Sequence, residues 1–210
     1  MNLLIIGATG GTGRELVGQA LAQGHNVTVL VRNPNKVKAR DERLTVLQGN
    51  VLDYDSVDRA VKGQDAVLSA LGHKRWFIPS TILSEGTKNI ITAMQKHGVS
   101  LFIGETSLGI GDSRGRLGLY YTLFVIPVIV YFYFRDKERQ EQLIRQSSLD
   151  WVIVRPAQLT NGSRRGVYRH GDTIGSYLFT QRISRADVAD FMLRQLTDTS
   201  CRRRAVGVAY

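Results

Sequence analysis

Sulfur is scarce in this chain. Among 210 residues there is one cysteine, Cys201, so no internal disulfide can form and no cysteine-rich metal site exists. A reducing compartment fits that usage, and a cytoplasmic location is expected. The four histidines, His25, His73, His97 and His170, fall at none of the spacings that pair metal ligands, so no metal site is expected. Internal repeats and low-complexity linkers are also missing. Met1 lies one residue before the first apolar run, and no signal or transit segment is expected there. Lysine is absent from the last quarter. Residues 155–210 hold ten Arg and four acids, a net of +6 within a total of +10. Arg grips phosphate and carboxylate in bidentate fashion, so an Arg-only quarter suits an anionic ligand. It equally suits nucleic acid, an anionic membrane surface, or a solvated face with no partner.

What is present is an alternation. Apolar runs at Leu3–Ile6, Val27–Val31, Leu44–Leu47, Ala66–Ala70, Leu101–Ile103 and Trp151–Val154 read as six strands. Helical patterns at Arg14–Gln23, Tyr54–Lys62, Ser80–His97 and Arg135–Gln146 lie between them. Ser184, with Asp187 three residues on, starts a helix over Arg185–Leu196 as a variant capping box. The pattern predicts an α/β fold, a doubly wound parallel sheet in one domain over residues 1–210, with ligand at the carboxyl ends of the strands. Residues 157–183 read as an irregular, substrate-side region.

The first strand breaks into Gly7-Ala8-Thr9-Gly10-Gly11-Thr12-Gly13 and then into a helix. Gly7 permits the tight turn, Gly10 clears the approach of a pyrophosphate, and Gly13 lets the helix pack close. Free N–H groups and the positive end of the helix dipole then face the phosphates. Cofactor contacts are therefore expected from Gly7, Thr9, Gly10, Gly11, Thr12 and Gly13. After the second strand, Arg32 stands where an acid would hold the ribose hydroxyls of NAD, with Lys36 one turn on. That pair favours the 2′-phosphate of NADP. Asn50 and Val51 follow the third strand, on the adenine side. Ala70, Leu71 and Gly72 end the fourth, near the nicotinamide ribose.

The fifth strand ends in Glu105-Thr106-Ser107-Leu108-Gly109, where the Ser107 hydroxyl can reach a substrate carbonyl or cap a turn. Tyr133 and Lys137 are four apart and share a helix face, so Lys137 could lower the phenol's pKa or contact a ribose. Tyr133 also belongs to an uncharged run, Leu117–Phe134, that carries seven of the seventeen aromatic residues. Its length is marginal for a membrane span, Pro127 interrupts it, and it lies between two strands of one sheet. An interface, a lid or a surface-seeking helical hairpin remain for it. Contact with a membrane surface, a monomer, or a homodimer through 117–134 are all compatible with it.

The glycine motif, Val31-Arg32-Asn33, Ser84-Glu85-Gly86-Thr87-Lys88-Asn89, Thr106-Ser107 and Leu149–Pro156 together resemble the atypical short-chain dehydrogenase/reductase superfamily. Within it they resemble the NmrA-like NAD(P)H-binding proteins and the flavin reductase/biliverdin-IXβ reductase group. The likeness runs on through Arg182–Ala189. It implies a Rossmann fold, NADPH as hydride donor, and a small planar anionic acceptor such as FMN, another flavin or a linear tetrapyrrole. It further implies Thr106 and Pro156 beside the cofactor, Ser107 near the transferred hydride, Arg32 at the 2′-phosphate, and Leu108 and Gln158 at the substrate. Departures are Asn50, where Asp is usual, and Gln158, where the biliverdin-IXβ reductase has a histidine. Residues 117–134 are longer than that enzyme's equivalent, and Tyr133 lies farther from the fifth strand than the usual catalytic Tyr. Two readings follow, a reductase or a non-enzymatic NADP(H) sensor. A nucleic-acid-binding scaffold ranks last, because the basic residues lack interleaved aromatics.

Overall fold

Strand β1 (Asn2–Ile6) is apolar on both faces: Leu3 and Ile5 enter one core, Leu4 and Ile6 the other. A strand buried on both sides belongs at the centre of a parallel sheet. The computed structural model describes residues 1–73 and 76–210. Beside β1 run β2 (Asn26–Val31) and β3 (Leu44–Gln48) on one side. On the other run β4 (Ala66–Ser69), β5 (Leu101–Glu105), β6 (Asp150–Pro156), β10 (Arg204–Ala209) and β8 (Arg169–Gly171). The order is β3-β2-β1-β4-β5-β6-β10-β8, parallel throughout except for β8 against β10. Strand order therefore reverses between β1 and β4, and that switch opens a crevice at the strands' carboxyl ends.

Helices α1 (Gly11–Ala22) and α5 (Arg185–Arg194) pack on one face through Leu16, Val17, Val188 and Met192. Helices α2 (Tyr54–Val61), α3 (Ile82–His97) and α4 (Tyr131–Gln146) cover the other through Val57, Ile90, Met94 and Ile144. Each fully buried aliphatic side chain in these layers contributes roughly 1.5–3 kcal/mol.

Several predicted boundaries need correction. The region 157–183 is not wholly irregular: β7 (Gln158–Thr160) pairs with β9 (Arg182–Ser184), and β8 closes the sheet edge. Strand β10 is additional to the six predicted strands and lies between β6 and β8. Helix α1 starts at Gly11 rather than Arg14, and α3 at Ile82 rather than Ser80. The buried Asp136 carboxylate accepts from Leu83 N at 2.9 Å and Ser84 N at 3.1 Å, fixing the start of α3 from another helix. Helix α4 starts at Tyr131 rather than Arg135, and α5 ends at Arg194 rather than Leu196. The cap of α5 is as expected, with Ser184 Oγ accepting from Asp187 N at 3.0 Å. Its reciprocal half is not: Tyr210 Oη accepts from Ser184 N at 3.1 Å and donates to Asp187 at 2.6 Å.

The uncharged run forms a π-helix over Tyr121–Ile129, followed by the first turn of α4. Pro127 has no N–H to give an α-helical ladder, and Val130 N instead reaches Val125 O at 3.1 Å. Among the described residues no helix is long and apolar enough to cross a membrane.

Candidate functional site

The glycine loop is held by contacts that only glycine allows. Gly7 has φ +81°, and a Cβ there would stand 2.3 Å from the Ala70 carbonyl oxygen. A Cβ on Gly13 would stand 2.1 Å from Gly7 O and 2.8 Å from Ala8 Cα. The loop is thus pressed between β4 and its own helix, with Gly10 N donating to Gly7 O at 2.9 Å. A Cβ on Gly10 would meet one atom only, Gly7 O at 3.2 Å, so its outer side is clear. Helix α1 begins with no side-chain cap and no acid in its first turn. Its positive end and first N–H groups are left for an external anion.

One cation lies on that end, and two more follow the neighbouring strand β2. Arg32 and Lys36 are exposed at the end of β2 and make no ion pair with a described residue. Arg185, at the start of α5, lays its stem on Gly11: a Cβ there would come within 2.4 Å of Cδ and 2.5 Å of Nε. Arg185 Nη1 donates to Asn161 Oδ1 at 2.6 Å, and Arg185 forms no ion pair among the described residues, although its charge acts on the buried Glu105. Sequence reasoning singled out Gly11 but not Arg185, because the contact spans the whole chain.

After β3, Asn50 is exposed and its Oδ1 accepts from Leu52 N at 3.2 Å. The Val51 carbonyl accepts from Asn89 Nδ2 at 3.0 Å, tying this loop to α3. On the other side, Ala70, Leu71 and Gly72 continue β4, with Ala70 N donating to Ile6 O at 3.0 Å. The chain beyond β5 stays alongside β6, through Thr106 N to Val154 O at 2.8 Å and Leu108 N to Pro156 O at 3.1 Å. Thr106, Ser107, Leu108 and Pro156 are thereby gathered at one point. Ser107 is half-buried, and its hydroxyl makes no hydrogen bond to a described residue. The Thr106 hydroxyl is committed, donating to Glu141 at 2.6 Å.

Tyr133 and Lys137 reach the same place. A Cβ on Gly72 would lie 3.4 Å from Tyr133 Oη, and the Tyr133 ring meets His73 edge-on at 4.9 Å. Lys137 Nζ lies 5.3 Å from the Tyr133 ring centre and donates to the Glu105 carbonyl at 3.5 Å. Glu105 is a buried acid that sequence reasoning quoted without assigning. Its Oε1 accepts from Thr12 Oγ1 at 3.1 Å, joining β5 to the glycine loop. Burial pushes its carboxyl above the usual carboxylate range, against the opposing pull of Lys137, the Thr12 hydrogen bond and Arg185.

A second missed group braces this end of the sheet. Arg155 is buried and donates to both oxygens of Glu141, at 2.9 and 2.6 Å, and to Asp112 at 2.6 Å. Burial opposes its charge, but the Glu141 and Asp112 contacts hold its pKa above the ordinary arginine value. Gln158 is spent within the protein, donating to Tyr121 Oη at 3.0 Å and accepting from Arg182 at 3.1 Å. It ties the aromatic segment to β7. Two cavities flank the start of α4, one of about 450 Å³ beside Thr81 and Arg139, one of about 240 Å³ beside Gly109 and Ile126. Neither is lined by a residue of the glycine loop. No cluster of three or more metal-ligating side chains occurs among the described residues.

A family description for NAD(P)H-binding proteins matches residues 7–199. The chain belongs to that NAD(P)H-binding family. The NmrA-like resemblance in the sequence agrees with it, and several curated relatives are reductases. An uncharacterized chloroplastic protein of Arabidopsis thaliana is 30% identical over 92% of this chain and 71% of its own length. Other relatives are longer still, and the chain spans 62% of one of them. Among solved structures, the anaerobilin reductase ChuY of Escherichia coli O157:H7 has a TM-score of 0.83 at 23% identity, covering 100% of this chain and 97% of its own. A short-chain dehydrogenase/reductase of Veillonella parvula in complex with NADP has a TM-score of 0.79 at 19% identity, covering 100% and 94%. At those identities the likeness is one of fold.

Proposed function

We propose that the protein is an NADPH-dependent reductase that passes a hydride to a planar conjugated acceptor, a flavin or a linear tetrapyrrole. The observation that carries the cofactor assignment is an uncapped helix start, cleared by glycine, with Arg185 laid on it and Arg32 and Lys36 exposed after the neighbouring strand, none of the three in an ion pair among the described residues. A cation near the positive end of a helix is unfavourable alone and favourable once an anion joins them. Arg185 and the first N–H groups of α1 hold the diphosphate in this reading, while Arg32 and Lys36 hold a 2′-phosphate. Asn50 and Val51 bear on the adenine. Ala70–Gly72, Thr106, Pro156 and Lys137 bear on the nicotinamide ribose, with Tyr133 behind them.

When bound, the nicotinamide supplies the hydride. The chain's own part is to orient the acceptor and keep water out, so proximity carries most of the rate. Ser107, with its hydroxyl uncommitted, hydrogen-bonds the acceptor. Leu108 and the Gln158–Tyr121 pair shape its seat, and Arg182 lies within reach of an anionic substituent. The fold shared with an anaerobilin reductase and the reductases among the relatives support this class of reaction.

The test is NADPH oxidation at 340 nm, with FMN, riboflavin, biliverdin isomers and simple quinones as acceptors and NADH in parallel. Turnover with one planar acceptor supports the reductase. Tight NADPH binding with no turnover on any of them replaces it with a non-enzymatic NADP(H) sensor.

A further inference from the structure

The cofactor reading leaves one large feature unused. Leu119, Leu123, Phe124 and Val128 in the uncharged run, with Leu178 and Phe179 in the loop before β9, expose most of their apolar surface; Val128 is 69% and Phe179 75% exposed. The two segments form one patch. Leu119 N donates to Leu178 O at 3.4 Å, Thr180 Oγ1 donates to Leu117 O at 3.0 Å, and Gly118 packs directly on the Phe179 backbone. Neither 117–134 nor 173–181 contains a charge. The inner face of the run is anchored, with Ile126 and Phe134 packed on the main core and Tyr121 held by Gln158. The outward face is therefore a fixed apolar surface rather than a loose end.

We infer that this patch docks the protein on an anionic lipid bilayer, lying in the headgroup region without crossing it. Contiguous exposed apolar patches of this kind mark interaction sites. Three features select lipid as the occupant. Arginines flank both segments in the chain, Arg116 and Arg135 about the run and Arg182 after the loop, and Arg135, on the first turn of α4, makes no ion pair with a described residue. Tyr120, Tyr131 and Tyr177 are exposed with the patch residues, and such amphipathic rings prefer the membrane–water boundary. The chain carries a net charge of +10, which attracts it to anionic headgroups. A second copy would bring a net charge of +10 against its own like, which opposes pairing.

The experiment is co-sedimentation with vesicles of phosphatidylcholine alone and of phosphatidylcholine with phosphatidylglycerol, at low and raised salt. Binding is expected on the anionic vesicles, weaker on the neutral ones, and falling with salt. Leu123→Ser with Phe124→Ser, and separately Leu178→Ser with Phe179→Ser, should reduce binding at least tenfold while the melting temperature stays put. Arg135→Gln should weaken it about fivefold. Intrinsic fluorescence gives a second readout. Trp76 is 44% exposed three residues before Pro79, which lines the same cavity as Phe132, whereas Trp151 is 5% exposed. A blue shift on anionic vesicles is expected from Trp76. Three results would overturn the proposal: protein left in the supernatant with anionic vesicles, vesicle binding that the apolar variants leave unchanged, or a concentration-dependent dimer that those variants break.

Discussion

Arg32→Ala should weaken NADPH binding far more than NADH binding. Arg32 is exposed and makes no hydrogen bond or ion pair with a described residue. Its removal therefore leaves nothing unsatisfied in the free protein, and stability should change by less than about 0.5 kcal/mol. In the complex it would donate charge-assisted hydrogen bonds to the 2′-phosphate, a contact class worth about 1.5–3 kcal/mol. Solvent exposure and salt screening favour the lower half of that range. A loss of about 2 kcal/mol is roughly 30-fold in Kd. NADH has no 2′-phosphate, so its Kd should move by less than about twofold. The assay is a titration of each dinucleotide, followed by nicotinamide fluorescence, for wild type and variant. The wild-type preference should also shrink as salt is raised. Equal losses for NADPH and NADH would refute the assignment of the β2 end to the 2′-phosphate.

Gly13→Ala would drive a Cβ into the Gly7 carbonyl oxygen and the Ala8 Cα. Backbone cannot swing aside as a side chain can, so a loss of about 3 kcal/mol is expected, read as a fall of roughly 6–12 °C in Tm. Ser107→Ala should slow acceptor reduction while leaving the NADPH Kd in place; an unchanged rate would reduce Ser107 to a turn residue. Glu105→Gln keeps a hydrogen-bond acceptor for Thr12 and removes a buried ionisable group. Because the folded carboxyl binds its proton more tightly than the unfolded one, its ionisation costs stability as pH rises from the unfolded pKa to the folded one. The variant should flatten the decline of Tm over that window, and a steeper decline would contradict the raised value.

The strand, glycine turn and helix start were legible because their signals are local. A short apolar strand, glycines at fixed offsets and an Arg at the next strand's end all fall within 36 residues. The sheet's far edge was not. Strand β10 reads Arg-Ala-Val-Gly-Val-Ala after two more arginines, and β8 reads Arg-His-Gly. Each is a strand because a neighbour supplies its ladder, which no window of sequence contains. The start of α3 is likewise set from outside, by Asp136 on α4. Arg185 on Gly11, Thr12 to Glu105, and the Arg155–Glu141–Asp112 cluster are all tertiary meetings of residues that look like ordinary surface charges in a string. The aromatic run could not be resolved by period, since it is apolar all round and turns as a π-helix through Pro127.

The central claim is that hydride leaves bound NADPH for a planar acceptor in this crevice. Its most direct test is a single-turnover reaction with NADPH deuterated at C4 on one face or the other, mixed with flavin or biliverdin and followed at 340 nm. Direct transfer predicts that one of the two deuterated cofactors, and only one, slows the decay of the signal. Bound NADPH whose absorbance persists with every acceptor, or decay that deuteration on neither face alters, would contradict it.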